Sequence, residues 1–165
     1  MSCFVLCATI NGVKISPMLP TLRILENRRS IIRLMNEIIS LGEPMPDCKL
    51  KHIFSDGIYV REVTMPAGSL IVGRIHTTEH LNEVISGECQ IFTADEELVI
   101  RRGGDIFTSK AGVQKVGWCI TDVVWRTIHA TNETNIEKLE QELSVLTYEE
   151  LNNDQLLLER KRIGI

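Results

Sequence analysis

The chain has 165 residues, of which 44% are hydrophobic and 24% are charged, proportions that are ordinary for one globular domain with a sizeable core. The formal net charge is −4; residues 1–132 carry 14 acids and 14 bases, and residues 133–165, with 8 acids and 4 bases, hold the whole surplus. This balance indicates no strongly basic face, so we do not expect the protein to bind nucleic acid through its phosphates.

The cysteines are odd in number and form no CxxC pair: Cys3, Cys7, Cys48, Cys89 and Cys119. A chain of this length does not need disulfides, so we expect reduced thiols in a cytoplasmic protein. The apolar run near the N-terminus spans only about eight residues and follows no positive charge, which argues against a signal peptide or a membrane span.

The first elements in chain order are a strand and a helix. Residues 4–10 form an apolar run that ends at the Asn11-Gly12 turn, and we expect an outlying strand there. Helical spacing of apolar side chains then predicts a helix over residues 22–41, ended by Gly42 and the prolines that follow it. This helix packs on the main domain or on a subunit interface in the simplest interpretation.

Short strands dominate the middle of the chain, with a turn signal every eight to twelve residues. Strands are predicted at residues 58–65, 70–77, 80–86, 89–93, 97–101, 106–108, 113–121 and 123–131. Such a pattern is typical of an antiparallel sandwich or barrel.

Helices return in the acidic tail. Thr134 and Glu137 have the spacing of a capping box, as do Thr147 and Glu150, and they predict helices over 134–144 and 148–161. We expect a single domain in three parts: an N-terminal strand and helix (1–57), the barrel (58–131) and a helical tail (132–165).

Two of the four histidines lie in the polar segment from Gly73 to Gly87, across a strand–turn–strand. This segment resembles the first cupin motif, Gly-x5-His-x-His-x3,4-Glu-x6-Gly. When the last glycine is Gly87, the two histidine positions and the glutamate position hold Arg74, His76 and His80. The second motif, Gly-x5-Pro-x-Gly-x2-His-x3-Asn, starts at Gly104, and its histidine and asparagine positions hold Lys115 and Cys119.

The resemblance covers roughly 75 residues and implies a mainly β fold, a single cupin-like antiparallel β-barrel (jelly roll) with an N-terminal helix and C-terminal helices. It implies no inherited reaction, because cupins host many functions. The runs His-Thr-Thr-Glu-His-Leu-Asn and Val-Trp-Arg-Thr-Ile-His-Ala-Thr-Asn also resemble small cupin-like proteins of tailed bacteriophages. That resemblance implies a viral protein in a bacterial cytoplasm.

A metal site is one hypothesis for this barrel. Side chains alternate on a strand, so His80 shares a face with Asn82, and His129 shares a face with Trp125. If these faces point inward, His76, His80 and His129 offer three imidazoles to a divalent transition metal such as zinc, manganese or iron. Glu79, beside the turn, is a possible further ligand. The alternative is that the histidines line a polar pocket without metal.

An anion site is the second hypothesis. Arg74 and Lys115 would repel a metal but suit a carboxylate or phosphate. Trp125 or Trp118 would supply a stacking wall, and Asn82, which needs hydrogen-bond partners if it points inward, would orient a histidine or contact the ligand. In the alternative interpretation, both cations extend to solvent.

The sequence therefore leaves three functions open. The first is a protein that binds a small, anionic molecule, such as a host metabolite or signalling nucleotide that it sequesters. The second is a metal-dependent cupin enzyme, and the third is an interaction protein that uses the barrel as a scaffold. In each case we expect a homo-oligomer, a dimer or higher, because exposed sheet edges favour pairing and the strand at 4–10 can cross to a partner.

Overall fold

The computed structural model describes residues 20–41, 47–94 and 98–152. The predicted strand at 4–10 and the end of the last predicted helix lie outside these residues. No helix in the described part of the chain is both long and apolar enough to span a membrane.

Among the described residues, one long helix is followed by ten strands before the next helix. In chain order the elements are α1 (Pro20–Leu41), β1 (Lys49–Ser55), β2 (Ile58–Met65), β3 (Leu70–Val72), β4 (Ile75–His76), β5 (His80–Ser86), β6 (Glu88–Thr93), β7 (Val99–Arg102), β8 (Ile106–Ser109), β9 (Lys115–Cys119), β10 (Val123–Ala130), α2 (Ile136–Leu143) and β11 (Ser144–Val145).

Two antiparallel sheets form the body of the domain. One has five strands in the order β1-β2-β10-β5-β8, and the other has four in the order β3-β9-β6-β7; β4 and β11 form a separate pair. Both larger sheets contribute side chains to one core, with Val84 and Trp125 from the first and Cys89 and Cys119 from the second. Alternating inward side chains of the predicted strands thus build a mainly β, antiparallel jelly roll, which confirms the predicted fold class.

Helix α1 covers the outer face of the four-stranded sheet. Its buried residues Ile31 and Ile38 pack against Leu70 and Val72 of β3 and Val116 of β9. The predicted helical period therefore serves to bury an apolar stripe against the barrel. The outer face of the five-stranded sheet has no such helix over it in the described part of the chain.

Residues 144–151 pack against β4. Ser144 and Val145 of β11 pair with His76 and Ile75 of β4, and Val145 and Ile75 share a small core with Leu151. This contact fixes β4, which carries the first of the histidines.

The structure differs from the predicted elements in three places. The five-stranded sheet begins with β1, nine residues before the predicted start of the barrel. The predicted strand at 70–77 is interrupted after Val72, where the chain leaves β9 and turns to pair with β11. The first tail helix is capped by Asn135, whose side chain accepts a hydrogen bond from the Lys138 amide.

The cupin-like turns depend on glycine. Gly68, Gly87, Gly104 and Gly112 all have positive φ, a conformation that costs other residues energy. Gly87 has a second constraint, because a Cβ there would overlap the carbonyl oxygen of Asp122. The turn positions predicted from the motif spacing are therefore fixed by backbone conformation.

Candidate functional site

Three histidines from three strands converge at one end of the barrel. His76 ends β4, His80 begins β5 and His129 lies near the end of β10. Their ring centroids are 4.0 Å apart for His76 and His80, 4.8 Å for His80 and His129, and 5.3 Å for His76 and His129. One nitrogen from each ring can be chosen so that all three lie within 4.8 Å of one another, and a small inward movement of the rings would bring them to the distance of about 2.0–2.1 Å at which imidazole nitrogens bind zinc.

The three rings are neutral at physiological pH. Burial lowers the pKa of His80 to about 3, assisted by the positive charge of Lys115. Burial, Lys115 and Arg61 together lower the pKa of His129 to about 4. Burial also lowers the pKa of His76 well below its usual value, and the neighbouring His80 and Lys115 add to the effect. Neutral imidazole is the form that binds a metal.

The tautomer of His80 is defined by its surroundings. Its Nδ1 lies 3.1 Å from the carbonyl oxygen of Thr78, so Nδ1 carries the proton and donates it. The lone pair is then on Nε2, which points toward the Lys115 ammonium 3.4 Å away. The hydrogen bond from Nδ1 to a backbone carbonyl is the one that metal-ligating histidines commonly make, while the Lys115 ammonium lies on the side where Nε2 would bind a metal.

His76 and His129 each have an unsatisfied nitrogen. In the part of the chain that the structure describes, the buried Nδ1 atoms of both rings have no hydrogen-bond partner. Buried polar atoms are rarely left unpaired, since each costs free energy unless something occupies its lone pair or accepts its proton. Two such atoms beside His80 indicate that a further species belongs in the cluster.

A cavity of about 130 Å³ is lined at one end by His76. Its polar part is lined by Arg61, Arg74, His76, Asn82, Lys115 and Thr127. Its apolar part is lined by Val63, Met65, Ile71, Ile91, Cys89, Cys119 and Trp125. The cavity therefore has a cationic region next to the histidines and an apolar floor.

The two predicted cations both lie at the cavity. Lys115 is half-buried and approaches His80, as described above. Arg74 donates a hydrogen bond from Nη2 to the Ser144 carbonyl at 3.2 Å, and its buried Nε has no partner among the described residues. Neither side chain extends fully into solvent.

Asn82 is buried in the cavity wall, and its hydrogen bonds go to residues other than the histidines. Its Nδ2 donates to the Ser109 hydroxyl at 3.0 Å, and its Oδ1 accepts from Nε1 of Trp125 at 3.2 Å. Asn82 therefore fixes the orientation of Trp125, whose ring forms part of the cavity wall.

The remaining candidates separate clearly. Glu79 is exposed and is not part of the histidine cluster, so the structure does not bring it to the site. Trp118 packs with the core beneath α1 rather than at the cavity. Of the two tryptophans considered as a stacking wall, only Trp125 lines the cavity.

Sequence reasoning missed Arg61, Cys89 and Cys119, all of which line the cavity. Arg61 lies on the same face of β2 as Tyr59 and Val63, so the two-residue period of that strand could have shown that it points inward. Cys89 and Cys119 are directly opposite on β6 and β9. Burial raises the pKa of Cys89 to about 11 and that of Cys119 to about 12, so both thiols are protonated.

Comparison with solved structures identifies the fold. Ectoine synthase from P. lautus matches with a TM-score of 0.51 and 11% identity over 64% of this chain and 79% of that one. The cupin domain of Schizosaccharomyces pombe Cnp3 matches with a TM-score of 0.47 and 17% identity over 76% of this chain and 78% of that one. An RmlC-like cupin family protein from Methanocaldococcus jannaschii matches with a TM-score of 0.44 and 13% identity over 53% of this chain and 84% of that one.

No protein-family model matches the sequence, and no curated protein matches it either. At these identities the structural matches bear on the fold alone, and the antiparallel sheets of this chain are consistent with the cupin-like jelly roll that the motif spacing predicted. Function must be argued from the site itself.

Proposed function

We propose that this protein binds one divalent transition metal through His76, His80 and His129 and holds a small anionic molecule in the adjoining cavity. The observation that carries the proposal is the convergence of three neutral imidazoles, two of which, His76 and His129, have a buried nitrogen without a hydrogen-bond partner among the described residues. The proposal joins the first two functions that the sequence left open, because the metal and the anion would occupy neighbouring parts of one site.

The ligand set suits zinc, iron or manganese with open coordination positions. Three protein nitrogens leave at least one position for water or for an oxygen of the bound molecule. The protein supplies neutral rings and a fixed His80 tautomer, so binding requires little proton release near neutral pH. Such a metal would polarise a bound oxygen or lower the pKa of bound water.

The cavity supports an organic anion with a short apolar body. Lys115, Arg74 and Arg61 favour a carboxylate or phosphate at the polar end, and Trp125 offers an aromatic surface deeper in. An engineered protein cavity of about 150 Å³ holds benzene, so this cavity of about 130 Å³ fits a body close to one ring in size. A complete nucleotide is larger, which favours a small metabolite over a signalling nucleotide.

The resemblance to small cupin-like proteins of tailed bacteriophages suggests where this activity would operate. In an infected bacterial cell, the protein would sequester or convert a small anionic metabolite of the host. The sequestering role needs only tight binding, whereas the enzymatic role needs turnover at the metal.

Elemental analysis of the purified protein tests the metal site. We expect about one equivalent of a transition metal, and we expect His76→Ala, His80→Ala and His129→Ala to lose it. His52→Ala is the matched control, because His52 lies outside the cluster and pairs with the Tyr59 hydroxyl. Less than about a tenth of an equivalent, with no uptake of added zinc, manganese or iron, would contradict the proposal.

A metal-free anion site is the second candidate, and the 3.4 Å approach of the Lys115 Nζ to the His80 Nε2 favours it. In this alternative the ammonium occupies the place of the metal. Calorimetric titration of metal-stripped protein with benzoate, and with neutral benzamide as its control, separates the two. Benzoate binding that needs no metal, in a protein that takes up none, supports the second candidate.

A further inference from the structure

The outer face of the five-stranded sheet carries an ordered pattern of side chains across four strands. One row is apolar: strand pairing places Ile53 beside Val60, Val60 beside Ile128, and Ile128 beside Leu81. Leu81 is 44% exposed, and the other three are half-buried. An apolar row of this kind on a sheet surface is typical of a contact with another protein surface.

A charged row runs parallel to the apolar row, two residues away along each strand. Its members alternate in sign across the sheet: Lys51, Glu62, Arg126 and Glu83. Arg126 is already paired within the chain, at 2.7 Å from Glu62 and 3.5 Å from Glu83. These contacts fix Arg126 between Glu62 and Glu83, and strand pairing places Lys51 beside Glu62.

We propose that this face is a homodimer interface in which two sheets pack face to face around a two-fold axis that runs along the strands between β2 and β10. Such an axis reverses the order of each row and lays it on its own copy. Lys51 then faces the partner's Glu83, and Glu62 faces the partner's Arg126. In the apolar row, Ile53 faces the partner's Leu81 and Val60 faces the partner's Ile128.

The sign pattern selects this axis over the other way of stacking the two faces. An axis perpendicular to the strands that ran along the charged row would place Arg126 on the partner's Arg126. If the perpendicular axis ran along the apolar row instead, the charged row would face the partner's row that contains Ile58 and Ala130. That row lies on the far side of the apolar row from the charged row. The first arrangement opposes like charges and the second buries charges against apolar groups, and both are unfavourable.

The size of the face indicates a weak dimer. Four strands spaced about 4.8 Å apart, each about seven residues long at about 3.3 Å per residue, give a face of roughly 19 by 23 Å. This is about 440 Å² per partner, about half the area of a standard interface and in the range of weak, transient ones. We therefore expect a dissociation constant for the homodimer of about 1 to 100 μM.

Sedimentation equilibrium on the full chain, with charge-reversed variants, tests the proposed contact. Lys51→Glu alone and Glu83→Lys alone each place like charges across the interface, so each should weaken the homodimer at least about tenfold. An equimolar mixture of the two variants should regain association, since every Lys51–Glu83 contact then joins opposite charges again. The mixture excludes misfolding as the cause, because misfolded chains would not recover their affinity for each other.

A second pair of variants tests the apolar row. Leu81→Glu should abolish the dimer, whereas Leu98→Glu, at a more exposed leucine next to the other sheet, should leave it intact. A chain that is monomeric up to about 100 μM overturns the proposal. So does a dimer that is insensitive to Leu81→Glu, because it must use another surface, such as the strand predicted at residues 4–10. Metal content does not enter these measurements, so they are independent of the proposed function.

Discussion

Replacement of Lys115 by methionine is the perturbation that most directly tests the candidate site. The ammonium lies 3.4 Å from the His80 Nε2, and a zinc ion on that nitrogen would lie about 2.0–2.1 Å from it. A metal and the ammonium would therefore be only a few ångströms apart. Even with the screening of bulk water, a divalent ion and a single charge about 4 Å apart repel by about 2 kcal/mol.

Removal of this repulsion should strengthen metal binding about 30-fold, because about 1.4 kcal/mol corresponds to a factor of ten. The same change should weaken binding of benzoate, since the cavity loses a cation beside the carboxylate position. Lys115→Met therefore has opposite effects on the two kinds of ligand. Lys115→Arg is the control that retains the charge.

Competition of Co²⁺ or Zn²⁺ with a chelator of known affinity measures the first effect, and calorimetry measures the second. The visible spectrum of bound Co²⁺ also reports the coordination geometry. Unchanged or weaker metal binding in Lys115→Met would refute the placement of the ammonium next to the metal. Unchanged benzoate binding would refute its role in anion recognition.

Three further predictions concern stability and thiol reactivity. His80 and His129 have pKa values of about 3 and 4 in the folded protein and about 6.5 in the unfolded chain. The metal-free protein should therefore lose stability as the pH falls below about 6.5. Between pH 7 and 5 the free energy of unfolding, measured with urea, should fall by about 2 kcal/mol for each histidine. Gly87→Ala should lower the free energy of unfolding by at least about 2 kcal/mol, since it combines positive φ with overlap of the neighbouring backbone. In the folded protein, Cys89 and Cys119 should resist alkylation until urea is added, as peptide mass spectrometry can show.

Matched variants supply the controls. A double variant with glutamine at positions 80 and 129 should keep only the part of the pH dependence between 7 and 5 that comes from His76, whose pKa burial also lowers, and a slope equal to that of the unaltered protein would contradict the assignment to these rings. Gly68 has a positive φ without a neighbour that a Cβ would overlap, so Gly68→Ala should lower the free energy of unfolding less than Gly87→Ala does. Equal losses would show that the overlap at Gly87 relaxes without an energetic penalty. Rapid alkylation of either cysteine would contradict the buried placement.

The alternating pattern of the strands and the positions of the turn glycines were determined by the sequence alone. Side-chain period reports which face is buried, and positive φ leaves few residues other than glycine, so both features are local. For the same reason the predicted bounds of β2 and β5 agree with the structure. Strand β1 escaped prediction because it lies at a sheet edge, where its alternation is weak.

The candidate site was predictable only as a set of inward-facing residues. Alternation placed His129 on the face of Trp125, but its distance from His76 depends on how β10, β4 and β5 are arranged in space. The second cation at the cavity, Arg61, comes from β2, whose position beside β10 is likewise a matter of sheet order. Asn82 had to have partners, and only the structure shows that Trp125 is one of them.

The sequence by itself determined the strand period, the turns and the residue types available for chemistry, because these depend on interactions between near neighbours in the chain. Only the tertiary structure decided that three imidazoles share one centre, that Lys115 faces His80, and that Lys51, Glu62, Arg126 and Glu83 form one row. Strand register brings residues together across long stretches of chain, and a shift of one residue would turn each of them to the opposite face.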